Sequence, residues 1–105
     1  MPTFDDREQA FEAKFAHDEE LKFKVLARRD KLVGLWAAAK LGKAGADAED
    51  YARLVILSDL EEAGDDDIVR KLVADLAGTG TGEAEIRAAL AEQTRVAHAQ
   101  VMGAD

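Results

Sequence analysis

The amino-acid sequence predicts an all-α protein, a small four-helix bundle with a flexible N-terminal arm. Three observations carry that expectation. Hydrophobic residues make up 48% of the 105 positions and rest on Leu, Ala and Val, with one proline and eight glycines, a composition that favours helices. Apolar residues recur at spacings of three and four, and no stretch of any length alternates as a strand does. Glycines and acidic capping residues fall where the periodic segments end and begin. The length fits one domain with a core of modest size.

The first helical pattern opens at Thr3, which can N-cap, with Asp5 and Asp6 in the first turn where they favour the helix dipole. It runs to about Leu41, and Gly42 stops it. On a helical wheel Phe4, Phe11 and Phe15 form a narrow stripe, whereas Leu21, Val25, Leu32, Leu35, Trp36 and Ala39 form a broader one about 90° away. Between them lies His17-Asp18-Glu19-Glu20, with no apolar residue and with Asp18 placed to cap a new helix. The expected division is therefore an arm over 1–19 and a bundle domain over 20–105. A second helix is expected from the Asp47 cap to Gly64, its centre Leu54–Leu57 (LVIL) apolar on nearly all sides and so the most buried segment. Asp65 caps a third, with Ile68, Leu72, Val73 and Leu76 on one face and Gly78 as its stop. Gly78-Thr79-Gly80-Thr81-Gly82 is a turn. A fourth, Ala-rich helix runs from about Glu83 to Val101, with Ile86, Ala89, Leu90, Ala97 and Val101 on one side. Short connections favour antiparallel neighbours.

Charge is laid out in blocks. Residues 1–20 hold seven acids and two bases, residues 21–43 seven bases and one acid, and residues 44–67 nine acids and one base; the whole chain is −8. The basic first bundle helix and the acidic segment after it attract along their rims, an effect of about 0–1 kcal/mol per exposed pair. The acidic arm can likewise lie against the basic helix. A net charge of −8 argues against nucleic acid as a partner. The chain has no cysteine, which excludes disulfides, thiolate metal sites and cysteine nucleophiles. No apolar run approaches the roughly 20 residues that span a bilayer, and the acidic start is unlike a signal peptide. The expectation is a cytoplasmic protein with no direct membrane insertion.

Catalytic and ligand-binding patterns are scarce. The Gly-Thr-Gly-Thr-Gly turn lacks the following Lys and preceding strand of a phosphate loop. Asp65-Asp66-Asp67 lacks the glycine and terminal glutamate of a calcium-binding EF-hand, and reads as a helix N-terminus. His17 stands beside three acids with no second histidine near it; the junction reads as solvated, with a pH-sensitive junction as the alternative. Trp36 reads as a core residue rather than a ligand platform. No Ser-His-Asp set or carboxylate dyad can be assembled, so no enzyme is expected and no metal site is assigned.

The three rings of the arm fit two readings. They close over the bundle, or they anchor an amphipathic helix in a partner's groove. Each buried ring contributes about 1.5–3 kcal/mol, enough for three to decide a binding event. A segment as polar as the arm is expected to order fully only when a partner covers those rings.

Residues 3–20 (TFDDREQAFEAKFAHDEE) and 23–42 (FKVLARRDKLVGLWAAAKLG) resemble the ATPase inhibitor zeta subunit of alpha-proteobacterial F-type ATP synthases. The resemblance continues through YA at 51–52, DLEEAGDDD at 59–67 and VRKLVADL at 69–76, and is most specific over the first forty-two residues. It implies a four-helix protein whose N-terminal segment, here Met1 to about Glu19, enters the catalytic sector between alpha and beta subunits against the gamma shaft. There it blocks ATP hydrolysis while permitting synthesis. On this chain Phe4, Phe11 and Phe15 become the apolar anchors, and Asp5, Asp6, Arg7, Glu8, Glu12 and Lys14 set register through paired charges. An arm of about 16 residues is roughly 24 Å long. The resemblance also implies weak adenine-nucleotide binding, at a site no motif locates, and no other cofactor. The protein is expected to be a monomer, peripheral to the inner membrane through ATP synthase. The alternatives are a small nucleotide-sensing bundle and an adaptor bundle.

Overall fold

One long helix organises the fold. The computed structural model describes the backbone of residues 4–59 and 64–103, and the side chains of those spans from residue 18 onward. Helix α1 (Phe4–Lys40) is followed by α2 (Ala46–Asp59), α3 (Asp66–Asp75), a 3-10 turn at Ala77–Thr79, and α4 (Glu83–Met102), so the four-helix architecture read from the sequence is the one observed. The described residues include no strand.

The end of α1 is written in its glycine. Gly42 adopts φ +78°, its N–H bonds Ala39 O at 3.1 Å, and the N–H of Lys43 bonds Ala38 O at 2.9 Å. This pair of bonds is the Schellman arrangement, which a residue without Cβ adopts at least cost. The helix break expected at 17–20 is absent: α1 passes through His17-Asp18-Glu19-Glu20 without interruption. Asp18 is a competent cap, but the residues before it include no Gly or Pro to end the preceding turn. The pairs Glu19–Lys22 (3.8 Å) and Glu20–Lys24 (3.3 Å), at helical spacing, stitch the junction.

Helices α2 and α4 pack on α1, and α3 bridges them. Helix α4 runs antiparallel to α1, with Glu85 reaching Lys40 (4.0 Å) at one end and Met102 beside Asp18 and Leu21 at the other. The side of α1 that is fully buried is Arg29, Asp30, Val33, Gly34, Ala37 and Ala38; the Leu/Trp stripe expected to form the core is only half-buried, and Ala39 is exposed. Small residues explain the rotation. A Cβ on Gly34 would stand 2.7 Å from Ala52 Cα, so α1 and α2 meet backbone to backbone there and the larger side chains are displaced to the rim.

Against this seam pack Tyr51 and Val55 of α2, Ile68, Val69, Leu72 and Leu76 from α3 and its end, and Ile86 and Leu90 of α4. Val69 takes the place expected for Val73, which is exposed, because the buried arc of α3 is centred between Ile68 and Val69. The LVIL run is not the most buried segment. Val55 is fully buried, but Leu54 and Leu57 are each more than half exposed. Four consecutive residues spread over about 300° of a helix, and α2 has neighbours on one side only. Helix α2 begins at Ala46, which puts Asp47 in the first turn rather than at the cap; the Gly64 end expected for it falls after residues outside the described span. Asp65 occupies the N-cap position of α3, but its side chain makes no capping bond.

Candidate functional site

The predicted partner-binding residues, Phe4, Asp5, Asp6, Arg7, Glu8, Phe11, Glu12, Lys14 and Phe15, all lie on the first half of α1, and their side chains fall outside the described residues. Their register is nonetheless fixed by the unbroken helix. At about 100° per residue, positions 4, 11 and 15 share a strip about 60° wide with Lys22, Leu26, Arg29 and Val33. The aromatic line therefore prolongs the middle of the side of α1 that the bundle covers, between the fully buried Val33–Ala37 arc and the half-buried Leu32–Trp36 arc. The sequence reading, which set the two apolar faces about 90° apart, measured from the Leu stripe and so missed this alignment.

Where the bundle ends, α1 and α4 leave an open cleft of about 490 Å³ lined by Asp18, Leu21, Lys22, Val25, Leu26, His98 and Met102. Helix α4 stops here, while α1 continues for the fourteen residues Phe4–His17. Phe23, which is 56% exposed, lines a separate groove with Lys24, Arg28 and Lys31 on another side of α1.

Just inside that end lies a charge cluster that the sequence reading did not find. Arg29 is 5% exposed, and its Nη2 lies 3.0 Å from Asp30 Oδ1, 3.2 Å from Asp59 Oδ2 and 3.1 Å from Asp65 Oδ1. One guanidinium thus ties α1 to the end of α2 and the start of α3, and Asp65 spends its side chain here instead of on a cap. The Asp30 and Asp59 side chains are 3% and 10% exposed. Burial, and a hydrogen bond shared with Asp59, push the Asp30 carboxyl up to about 8 against the lowering pull of Arg29. Asp59 Oδ1 is buried and among the described residues has no other partner; a proton held on Asp30 satisfies it. Burial lowers the Arg29 guanidinium, but Asp30 and Asp65 outweigh it and hold the group above its ordinary value. The available signal was periodicity: Arg29, Val33 and Ala37 stand four apart on one face, so a charge at 29 shares the core register.

The remaining candidates resolve into structural roles. In the glycine-rich turn Thr79 Oγ1 donates to Leu76 O (2.7 Å) and accepts from Thr81 N–H (3.3 Å), so its polar groups are engaged internally. Asp67 meets Arg70 at 3.0 Å. Among the described residues no group of three His, Cys, Asp or Glu is placed to hold a metal. Trp36 packs half-buried on the core with Lys40 Nζ 5.1 Å above its ring. Tyr51 donates to Asp75 Oδ2 at 2.7 Å, and Lys71 lies 3.0 Å from the same oxygen; burial and that carboxylate raise the phenol. Burial raises the Asp75 carboxyl, but Tyr51 and Lys71 outweigh it and hold the group below its usual range.

The model of one protein family, ATPase inhibitor subunit zeta, matches residues 1–100. The chain belongs to the ATPase inhibitor subunit zeta family. It is an inhibitor subunit, a regulatory protein rather than an enzyme, and its partner is the catalytic sector of ATP synthase. A solved structure, described as a solution NMR structure, is 47% identical and superposes with a TM-score of 0.74, covering 81% of this chain and 99% of that one. No curated protein matches. Among the described residues no helix is long and apolar enough to cross a membrane.

Proposed function

We propose that this zeta-family chain inhibits ATP hydrolysis by inserting the segment Met1 to about Glu19, which carries the first half of α1, at the interface of alpha and beta subunits, against gamma. The observation that carries this reading is the continuation of α1 for fourteen residues past the end of α4 with the three Phe positions on one line. Phe4, Phe11 and Phe15 are the anchors; Asp5, Asp6, Arg7, Glu8, Glu12 and Lys14 orient the helix by paired charges. Catalysis requires that interface to open and close, and a helix that binds one state more tightly than the others stalls the cycle by that difference. The bundle holds the arm in solution as a monomer, and the protein is peripheral to the membrane through its partner.

The test is inhibition of ATP hydrolysis by purified catalytic sector. At about 1.5–3 kcal/mol per buried ring, Phe11→Ala with Phe15→Ala weakens inhibition by at least about a hundredfold, and residues 20–105 alone do not inhibit. Inhibition by residues 20–105 equal to that of the full chain refutes the arm mechanism.

A further inference from the structure

The cleft between α1 and α4 lies at the foot of the arm. Its walls are mostly apolar: Leu21, Val25 and Leu26 come from α1, His98 and Met102 from α4. Leu26 is 44% exposed and Met102 45% exposed, although both stand beside the core. The cleft exists because α4 ends at Met102 while α1 goes on. Two parallel ridges of side chains with an open end are the form that receives a third helix. Leu26 also lies in the strip of α1 that contains positions 4, 11 and 15. A surface that follows the aromatic line toward the bundle therefore enters this cleft without turning around the helix.

We propose that the cleft is the bundle-side continuation of the arm's docking surface and receives an apolar helical segment of the ATPase catalytic sector. The proposal rests on the arm reading above and extends its interface past residue 19. A partner helix lying along the aromatic line has its end against the last turn of α4, where Leu26 and Met102 are covered on the side now open. Asp18 and Lys22 stand one helical turn apart on the rim, with the Lys22 ammonium 3.8 Å from Glu19, so the cleft is apolar inside and charged at its edge. The bundle is thereby part of the grip and not only a carrier.

The test compares three full-length chains as inhibitors of purified catalytic sector: wild type, Leu26→Ser with Met102→Ser, and Phe11→Ala with Phe15→Ala. Thermal melts of the free proteins check that both variants fold. The cleft variant is expected to need about tenfold more protein for half-inhibition, a loss of about 1.4 kcal/mol, and the arm variant to lose more. If the cleft variant inhibits within twofold of wild type while the arm variant fails, the cleft is not part of the interface and the arm reading stands. If the arm variant inhibits as wild type does, the arm reading falls and this proposal with it. Hydrogen exchange of the wild-type complex gives a readout independent of the variants. Protection gained at residues 98–102 supports the proposal, and protection confined to residues before 20 overturns it. A free protein that sediments as a dimer, and becomes monomeric in the cleft variant, assigns the cleft to a second copy instead and also overturns it.

Discussion

Raising the pH from 6 to 8 should destabilise the free protein, and the effect should vanish in Asp30→Asn. The folded state holds a proton on Asp30 up to about 8, between the Arg29 guanidinium and Asp59 Oδ1, which has no other partner among the described residues, whereas an unfolded aspartate loses it near 4. A folded pKa raised above the unfolded one contributes stability that is complete below about 4 and is lost as pH climbs toward about 8. Within that window each pH unit removes at most about 1.4 kcal/mol. Two units remove at most about 3 kcal/mol, and a domain of this size then loses on the order of 10 °C or more in melting temperature. The pH 6–8 range avoids interference from Asp75 and Glu92, whose lowered carboxyl pKa values act only in acid. The asparagine side chain of the variant has no proton to lose and offers the same shape, an amide to donate to Asp59 and a carbonyl to accept from Arg29. Circular-dichroism melts at pH 6, 7 and 8 decide the matter. A wild-type melting temperature that rises over this range, or an Asp30→Asn slope equal to wild type, refutes the shared proton.

Two further substitutions probe how α1 is held. Arg29→Met leaves the Asp59 and Asp65 carboxylates, beside the protonated Asp30 carboxyl, around a hole where the cation stood; breaking a buried pair in this way costs about 3–5 kcal/mol, read as a lower urea midpoint, and a change below about 1 kcal/mol means the cluster is solvated. Gly34→Ala places a methyl 2.7 Å from Ala52 Cα, a backbone atom that cannot rotate aside, and overpacking of this kind costs about 1–3 kcal/mol. Chemical denaturation measures it, and a neutral or stabilised variant shows that α1 and α2 stand further apart.

The helices were legible because their ends carry local chemistry. Gly42, the acidic run 65–67 and the glycine-rich turn each mark a boundary through one or two residues, and the structure keeps all three. What was not legible depends on neighbours. The Asp18 cap signal is genuine, but a cap starts a helix only where the previous one has stopped, and nothing at 13–17 stops it. Arg29 was counted in a basic block, and a charge count does not distinguish a solvated rim from a buried pair. The core face of α1 was assigned to its largest apolar residues, whereas close approach at Gly34 turned Ala37 and Ala38 inward. The same choice of reference stripe hid the alignment of positions 4, 11 and 15 with the buried side of α1, which follows from the backbone register of the unbroken helix.

An unbroken α1 changes the energetics expected of the arm. A free peptide of fourteen residues is near the lower limit for helix formation in water, because the first turn fixes several residues for one hydrogen bond. Here that first turn already exists: residues 18–40 of α1 are fastened by the Arg29 cluster, by the contact at Gly34 and by the i, i+3 and i, i+4 pairs at 19–24. Each arm residue then adds one bond to an existing helix, so the ordering cost that a separate polar segment would meet on binding is reduced. On this view the proton on Asp30 and the affinity of the arm are linked. Whatever loosens the hold of α2 and α3 on Arg29 loosens the template from which the arm's helix is propagated.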